Sequence, residues 1–168
     1  MKKLKTYEEH EIIEQMINQS MSSTDWSTEV FFEFVDNHKD TLNGISSNGS
    51  TLLMNIIIPS NEDKELIKWI QYLFDAGGDK NINQLSSTHN TVLLYAAFYV
   101  NKQFVSNHIF FDVVNLLSDY DANWNFKDAE GFDFFHYLID EDSEYLINKY
   151  PDKYKKYIRE KKAKKFKI

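Results

Sequence analysis

The sequence predicts an all-α fold, a helical solenoid of stacked helix-turn-helix repeats closed by capping helices. Three observations carry this. Three segments can be laid in register, each a turn signal, then a Thr or Asp suited to cap a helix, then a dense apolar run. Between them lie further apolar residues at helical spacing. The 168 residues include only 5 Gly and 2 Pro, which excludes Gly-rich, Pro-rich and collagenous architectures, and 42% hydrophobic with 27% charged residues is a globular balance.

The elements run in chain order. Thr6 to Met21 reads as an amphipathic capping helix with Tyr7, Ile12, Ile13, Met16 and Ile17 apolar, and Thr28 to Asn37 continues with Val30, Phe31, Phe34 and Val35 as the second helix of an incomplete first repeat. The first full copy opens at Asn48-Gly49-Ser50-Thr51-Leu52-Leu53, the second at Thr88-His89-Asn90-Thr91-Val92-Leu93, and the third at Glu130-Gly131-Phe132-Asp133-Phe134-Phe135. Their anchors Thr51, Thr91 and Asp133 lie 40 and 42 residues apart. Leu66, Ile67, Ile70, Leu73 and Phe74 predict the second helix of one copy, and Phe110, Val113, Val114 and Leu117 that of the next. Gly77-Gly78 is a helix C-cap signal. A final helix is expected to begin at Glu144 to Asn148, to be interrupted at Pro151, and to present Tyr154, Tyr157 and Ile158 inward.

This unit resembles the ankyrin repeat. Gly49-Ser50-Thr51-Leu52-Leu53 and Thr91-Val92-Leu93-Leu94-Tyr95-Ala96-Ala97 are similar to the family's opening Gly-x-Thr-Pro-Leu-His-x-Ala-Ala, with no Pro in any copy. Phe135-His136 stands where the family has Leu-His. Val113-Val114-Asn115-Leu116-Leu117 matches the second helix, and Asp121-Ala122-Asn123-Trp124-Asn125 stands for Gly-Ala-Asp-Val-Asn. The copies are 7 and 9 residues longer than the family period of about 33, with the excess around Pro59 to Glu65 and Val100 to Ile109. The resemblance implies a single ankyrin-like domain over 1–168, with a capping helix in 1–25, repeats in 26–140 and a C-terminal cap with a basic tail in 141–168. It also implies that His136 hydrogen-bonds within its turn.

Charge is divided along the chain. Lys149 to Ile168 holds ten basic residues against Asp152 and Glu160, a balance of +8, while the other 148 residues hold nine Lys against 24 acids, a balance of −15. An acidic body favours a basic protein partner over nucleic acid. The tail reads as a solvated helix end or as a contact to nucleic acid, membrane or the body itself. No apolar run approaches the roughly 18 residues of a membrane span, and Tyr7 to Glu11 falls where a signal peptide would be apolar. A cytoplasmic location is expected, and the absence of Cys suits it.

Catalytic motifs are missing from the sequence. It holds no Gly-x-Ser-x-Gly elbow, phosphate loop, His-Glu-x-x-His pair or dinucleotide fingerprint. Asp119, Asp121, Asn123 and Glu130 imitate a calcium loop, but Trp124 sits where that loop requires Gly. Asp140-Glu141-Asp142 reads as a solvated loop. No cofactor, metal or catalytic residue is expected.

In an ankyrin-like architecture partners bind the turn tips and the exposed side of each first helix. By register those positions are Asn55, Tyr95 and Tyr137, with Tyr99 one turn beyond Tyr95. The third turn adds Asp128, Glu130 and Phe132, with Trp124 close behind. Trp124 and Phe132 read equally as interface anchors or as fillers of an enlarged gap between repeats. The whole reads as a non-catalytic protein-binding module, monomeric or in a 1:1 complex. Its Lys-, Asn- and Ile-rich composition points to a bacterium or a virus. It resembles bacterial immunity proteins, which neutralise a cognate toxin with an acidic face. The alternative is an ankyrin-type effector or adaptor that binds a host protein.

Overall fold

The computed structural model describes residues 27–57, 63–101, 107–138, 140–153 and 155. The capping helix expected at Thr6 to Met21, the inward-facing Tyr154, Tyr157 and Ile158, and most of the elongated connections lie outside the described residues. The described part is helical: α1 Thr28–Asn37, α2 Leu52–Ile57, α3 Asp63–Asp75, α4 Val92–Asn101, α5 Asn107–Asp119, a 3-10 turn Phe134–Tyr137 and α6 Asp140–Lys149. No strand occurs among these residues, only the isolated antiparallel bridges Ile45 to Thr51 and Lys127 to Asp133.

The helices pack in two rows. α2, α4 and the 3-10 turn touch in succession, as do α1, α3 and α5, and the rows are joined by α2 against α3 and α4 against α5. The row of α1, α3 and α5 buries the residues that helical spacing selects: Phe31 and Val35 on α1, Leu66, Ile70, Leu73 and Phe74 on α3, Phe110, Val113, Val114 and Leu117 on α5. Helix α4 is buried over Val92, Leu93, Leu94, Ala96 and Ala97. Its two alanines leave room for neighbours on three sides. The 15% aromatic content, high for a domain of this size, goes largely into seams between rows and neighbours. Phe31 stacks on Trp69 at 4.9 Å, Phe32 on Tyr72 at 3.9 Å and Phe111 on Tyr145 at 4.0 Å.

Each copy opens with the same turn. Ser46, Ser86 and Asp128 each donate a backbone N–H across the loop, to the carbonyls of Ser50, Asn90 and Phe132 at 2.9, 3.0 and 2.9 Å. Each also accepts at its side chain the N–H of the same loop residue. The fourth position of the turn, Gly49, His89 and Gly131, has φ of +78°, +60° and +83°. The anchors then cap the helical segments behind them: Thr51 and Thr91 accept at Oγ1 from Met54 and Leu94, and Asp133 at Oδ1 from His136. The second helices also end alike. Gly78 donates to Leu73 and Gly77 to Phe74, while Ala122 donates to Leu117 and Asp121 to Ser118. These are the paired bonds of a Schellman ending, with Gly77 (φ +86°) and Asp121 (φ +62°) in the left-handed position.

The third copy departs from the pattern. Its first helix is only the four-residue 3-10 turn. Asp140-Glu141-Asp142 are not a loop but the first turn of α6. Acidic residues oppose the positive end of a helix, so a segment without apolar residues can still start one.

Candidate functional site

The third turn is built around a carboxylate. Asp128 is buried, and its Oδ1 accepts the backbone N–H groups of Glu130 at 3.0 Å and Phe132 at 2.8 Å. Its Oδ2 accepts from the Tyr137 hydroxyl. Burial by itself would raise the Asp128 pKa, but the Tyr137 hydroxyl and the backbone donors outweigh it and hold the carboxyl below its ordinary value. Burial, then the bond to Asp128, pushes the Tyr137 phenol up to about 12.

Rings gather over this carboxylate. Phe132 lies flat on His136 at 3.7 Å and 8°, and meets Tyr137 edge-on at 6.4 Å and 88°. Phe98, from α4, also meets Tyr137 edge-on, at 6.2 Å and 76°. Phe98 and Phe132 are 40% and 39% exposed, two of the four large hydrophobic side chains that the described residues leave open to solvent. Glu130 is exposed beside them. At the position of Phe132 the first two copies carry Ser50 and Asn90, so the patch belongs to the third turn alone.

Several expected site residues sit elsewhere. Asn55 does not face solvent: α2 is buried along its whole length, and the Asn55 amide donates to the Thr51 carbonyl at 2.7 Å. Trp124 is core rather than surface. It packs on Phe134 at 4.8 Å and Tyr150 at 5.2 Å and donates its indole N–H to Ser118. Its role as gap filler comes from size, since the third copy is short of helix there. Asp128 is in the patch but beneath it, with its oxygens occupied. Tyr95 and Tyr137 are half-buried and pack against the core. Tyr95 repeats the Tyr137 arrangement in weaker form, with its hydroxyl 3.3 Å from Thr88 and 3.5 Å from Ser86. Tyr99 is in α4, but its side chain lies outside the described residues. Glu130 and Phe132 are exposed as expected. His136 bonds within the turn through its backbone N–H, to Asp133, while its ring stacks on Phe132.

Phe98 was not among the sequence candidates. The signal was present: it lies three residues after Tyr95, on the same side of a helix. Among the described residues no group of three or more His, Asp or Glu could hold a metal ion, and no helix is long and apolar enough to cross a membrane.

This geometry defines a helical protein with an aromatic, acid-flanked surface patch. No family model matches the chain, and neither a curated protein nor a solved structure matches it.

Proposed function

We propose that the chain is an ankyrin-like solenoid serving as a non-catalytic protein-binding module, and that it is a bacterial immunity protein that covers a basic toxin domain. The observation that carries the binding reading is the convergence of Phe98 and Phe132 on Tyr137, with Glu130 beside them. Exposed aromatic side chains backed by rigid packing are what interface anchors are made of. A balance of −15 over the acidic body steers a basic partner toward them. The regular turn, cap and helix-ending bonds of the successive copies support the ankyrin-like reading.

Support for a non-catalytic role comes from Asp128. A general acid or base needs a pKa near the working pH, and here the buried carboxylate is shifted down with both oxygens engaged.

The test is capture by the tagged protein from native lysate, with Phe98→Ala and Phe132→Ala beside the parent. The expected result is one stoichiometric partner that kills cells when produced alone, bound roughly tenfold or more weakly by each variant, while both variants melt near the parent temperature. A harmless partner ends the immunity reading. Equal capture by both variants moves the binding surface away from Tyr137.

A further inference from the structure

Asn43, Asn83 and Asn125 occupy one position in the three copies, 40 and 42 residues apart. Asn43 donates Nδ2 to the Gly77 carbonyl at 2.6 Å and accepts the Lys80 N–H at 3.0 Å. Asn83 donates to the Asp121 carbonyl at 3.1 Å and accepts the Asn123 N–H at 2.7 Å. The logic is the same twice. One amide side chain holds the carbonyl of the left-handed residue that ends the second helix, and an N–H two or three residues further on.

Asn125 holds neither. Its Nδ2 turns back to the Asn123 Oδ1 at 2.9 Å, and its Oδ1 accepts nothing among the described residues. The cause lies after α6. Pro151 comes almost at once, residues 151–153 are helical, and no residue there has positive φ, so no left-handed helix ending offers its carbonyl and a following N–H to Asn125 among the described residues. A cavity of about 550 Å³ lies beside it, with Asn83, Asp121, Trp124, Asn125, Asp152 and Lys153 in its lining. The Lys153 ammonium stands 5.0 Å over the Trp124 ring within this lining.

We propose that this cavity is a peptide-binding site that takes a loop segment of a partner polypeptide, whose backbone carbonyl and N–H are read by the Asn125 amide as this chain's own loops are read by Asn43 and Asn83. Two positions of the same kind are filled by main chain, and the third offers the same donor and acceptor beside a space large enough for several residues. Asn125 is exposed, so it need only exchange its bond to Asn123 for one to the incoming carbonyl. Reading through the backbone tolerates many sequences, and the mixed lining charges Asp121, Asp152 and Lys153 leave the segment to be read by its main chain. The site shares no residue with the Tyr137 patch and stands or falls separately from it.

The experiment is a titration of the full 15N-labelled chain, followed by NMR, with an acetylated and amidated peptide of residues 107–126. It carries the Asp121 carbonyl and the Asn123 N–H that Asn83 holds within the chain. At millimolar peptide the Asn125 side-chain amide and Trp124 indole resonances should shift saturably. Asn125→Ala should weaken binding about tenfold, as expected for two lost hydrogen bonds, with the rest of its spectrum unchanged. A peptide N-methylated at the amide of its Asn123 should lose affinity in the same way. No shift at either resonance, or equal binding by Asn125→Ala or by the methylated peptide, overturns the proposal. So would shifts that track protein concentration without peptide, because a second copy would then be the occupant.

Discussion

The Tyr137 hydroxyl donates to the buried carboxylate of Asp128, the residue whose other oxygen ties the third turn together. Tyr95 and Ser86 stand in the same relation one copy earlier, at 3.5 Å and with a neutral partner. The pair locks a turn to the helical segment behind it. A hydrogen bond to a charged group is worth about 1.5–3 kcal/mol and a neutral one about 1 kcal/mol. Urea unfolding should therefore show Tyr137→Phe destabilised by about 2 kcal/mol and Tyr95→Phe by well under about 1 kcal/mol. Equal losses would mean that the rings, and not the hydroxyls, hold the turns.

The same pair sets a pH dependence at both ends of the scale. Asp128 is depressed in the folded state, so its stabilisation is present above the ordinary value of 3.8 and is lost as pH falls through the lower folded value. Tyr137 is raised, so its stabilisation is complete below its ordinary value of 10.0 and is lost as pH climbs toward about 12. Between pH 10 and 12 the parent should lose stability faster than Tyr137→Phe, measured by unfolding at fixed pH. Parallel curves over that window would refute the assignment.

The asparagine positions allow an internal comparison. Asn43→Ala and Asn83→Ala each remove bonds to a carbonyl and an N–H of the next segment, and each should cost about 2 kcal/mol. Asn125→Ala removes only bonds within its own exposed loop and should stay within about 0.5 kcal/mol of the parent. Thermal melts of the three variants decide this. A loss at Asn125 as large as at Asn83 would show that the third position is already filled.

Two helix endings of one design carry different residues. Asp121 adopts at φ +62° what Gly77 adopts at +86°. Asp121→Gly should raise stability by up to about 1 kcal/mol, because the left-handed conformation costs a side-chain-bearing residue about that much. Gly77→Ala should cost a similar amount, for conformation only, since nothing lies within 4 Å of the added methyl. Gly78→Ala should cost more. Its methyl would meet the Leu73 side chain at 2.5 Å and the Leu73 carbonyl at 2.9 Å. A tolerated Gly78→Ala would contradict the packing at this ending.

The legible part of the fold was the part fixed by neighbours in sequence. The span Thr28 to Asn37, the caps at Thr51, Thr91 and Asp133, and the C-cap at Gly77-Gly78 all appear where spacing and capping chemistry put them. Asp140 reads wrongly from sequence for a related reason. Acidic residues suit both a loop and a first helical turn, and only the packing of Leu146 against the core distinguishes them.

The site was legible only as a set of equivalent positions. Register states that Asn55, Tyr95 and Tyr137 correspond, but not how much neighbouring copies cover each one. α2 is enclosed, so Asn55 is buried, whereas Tyr137 ends the row of α2, α4 and the 3-10 turn and meets Phe98 and Phe132 at the surface. Trp124 likewise reads equally as anchor or filler until the structure buries it against Phe134 and Tyr150. By itself the sequence determined the helix Thr28–Asn37, the apolar faces of the second helices, the caps and the forty-residue rhythm, because those depend on contacts within a few residues. Which side chains are left exposed, and that Asn125 is left facing a cavity, was decided by tertiary structure, because exposure depends on where the row of copies ends.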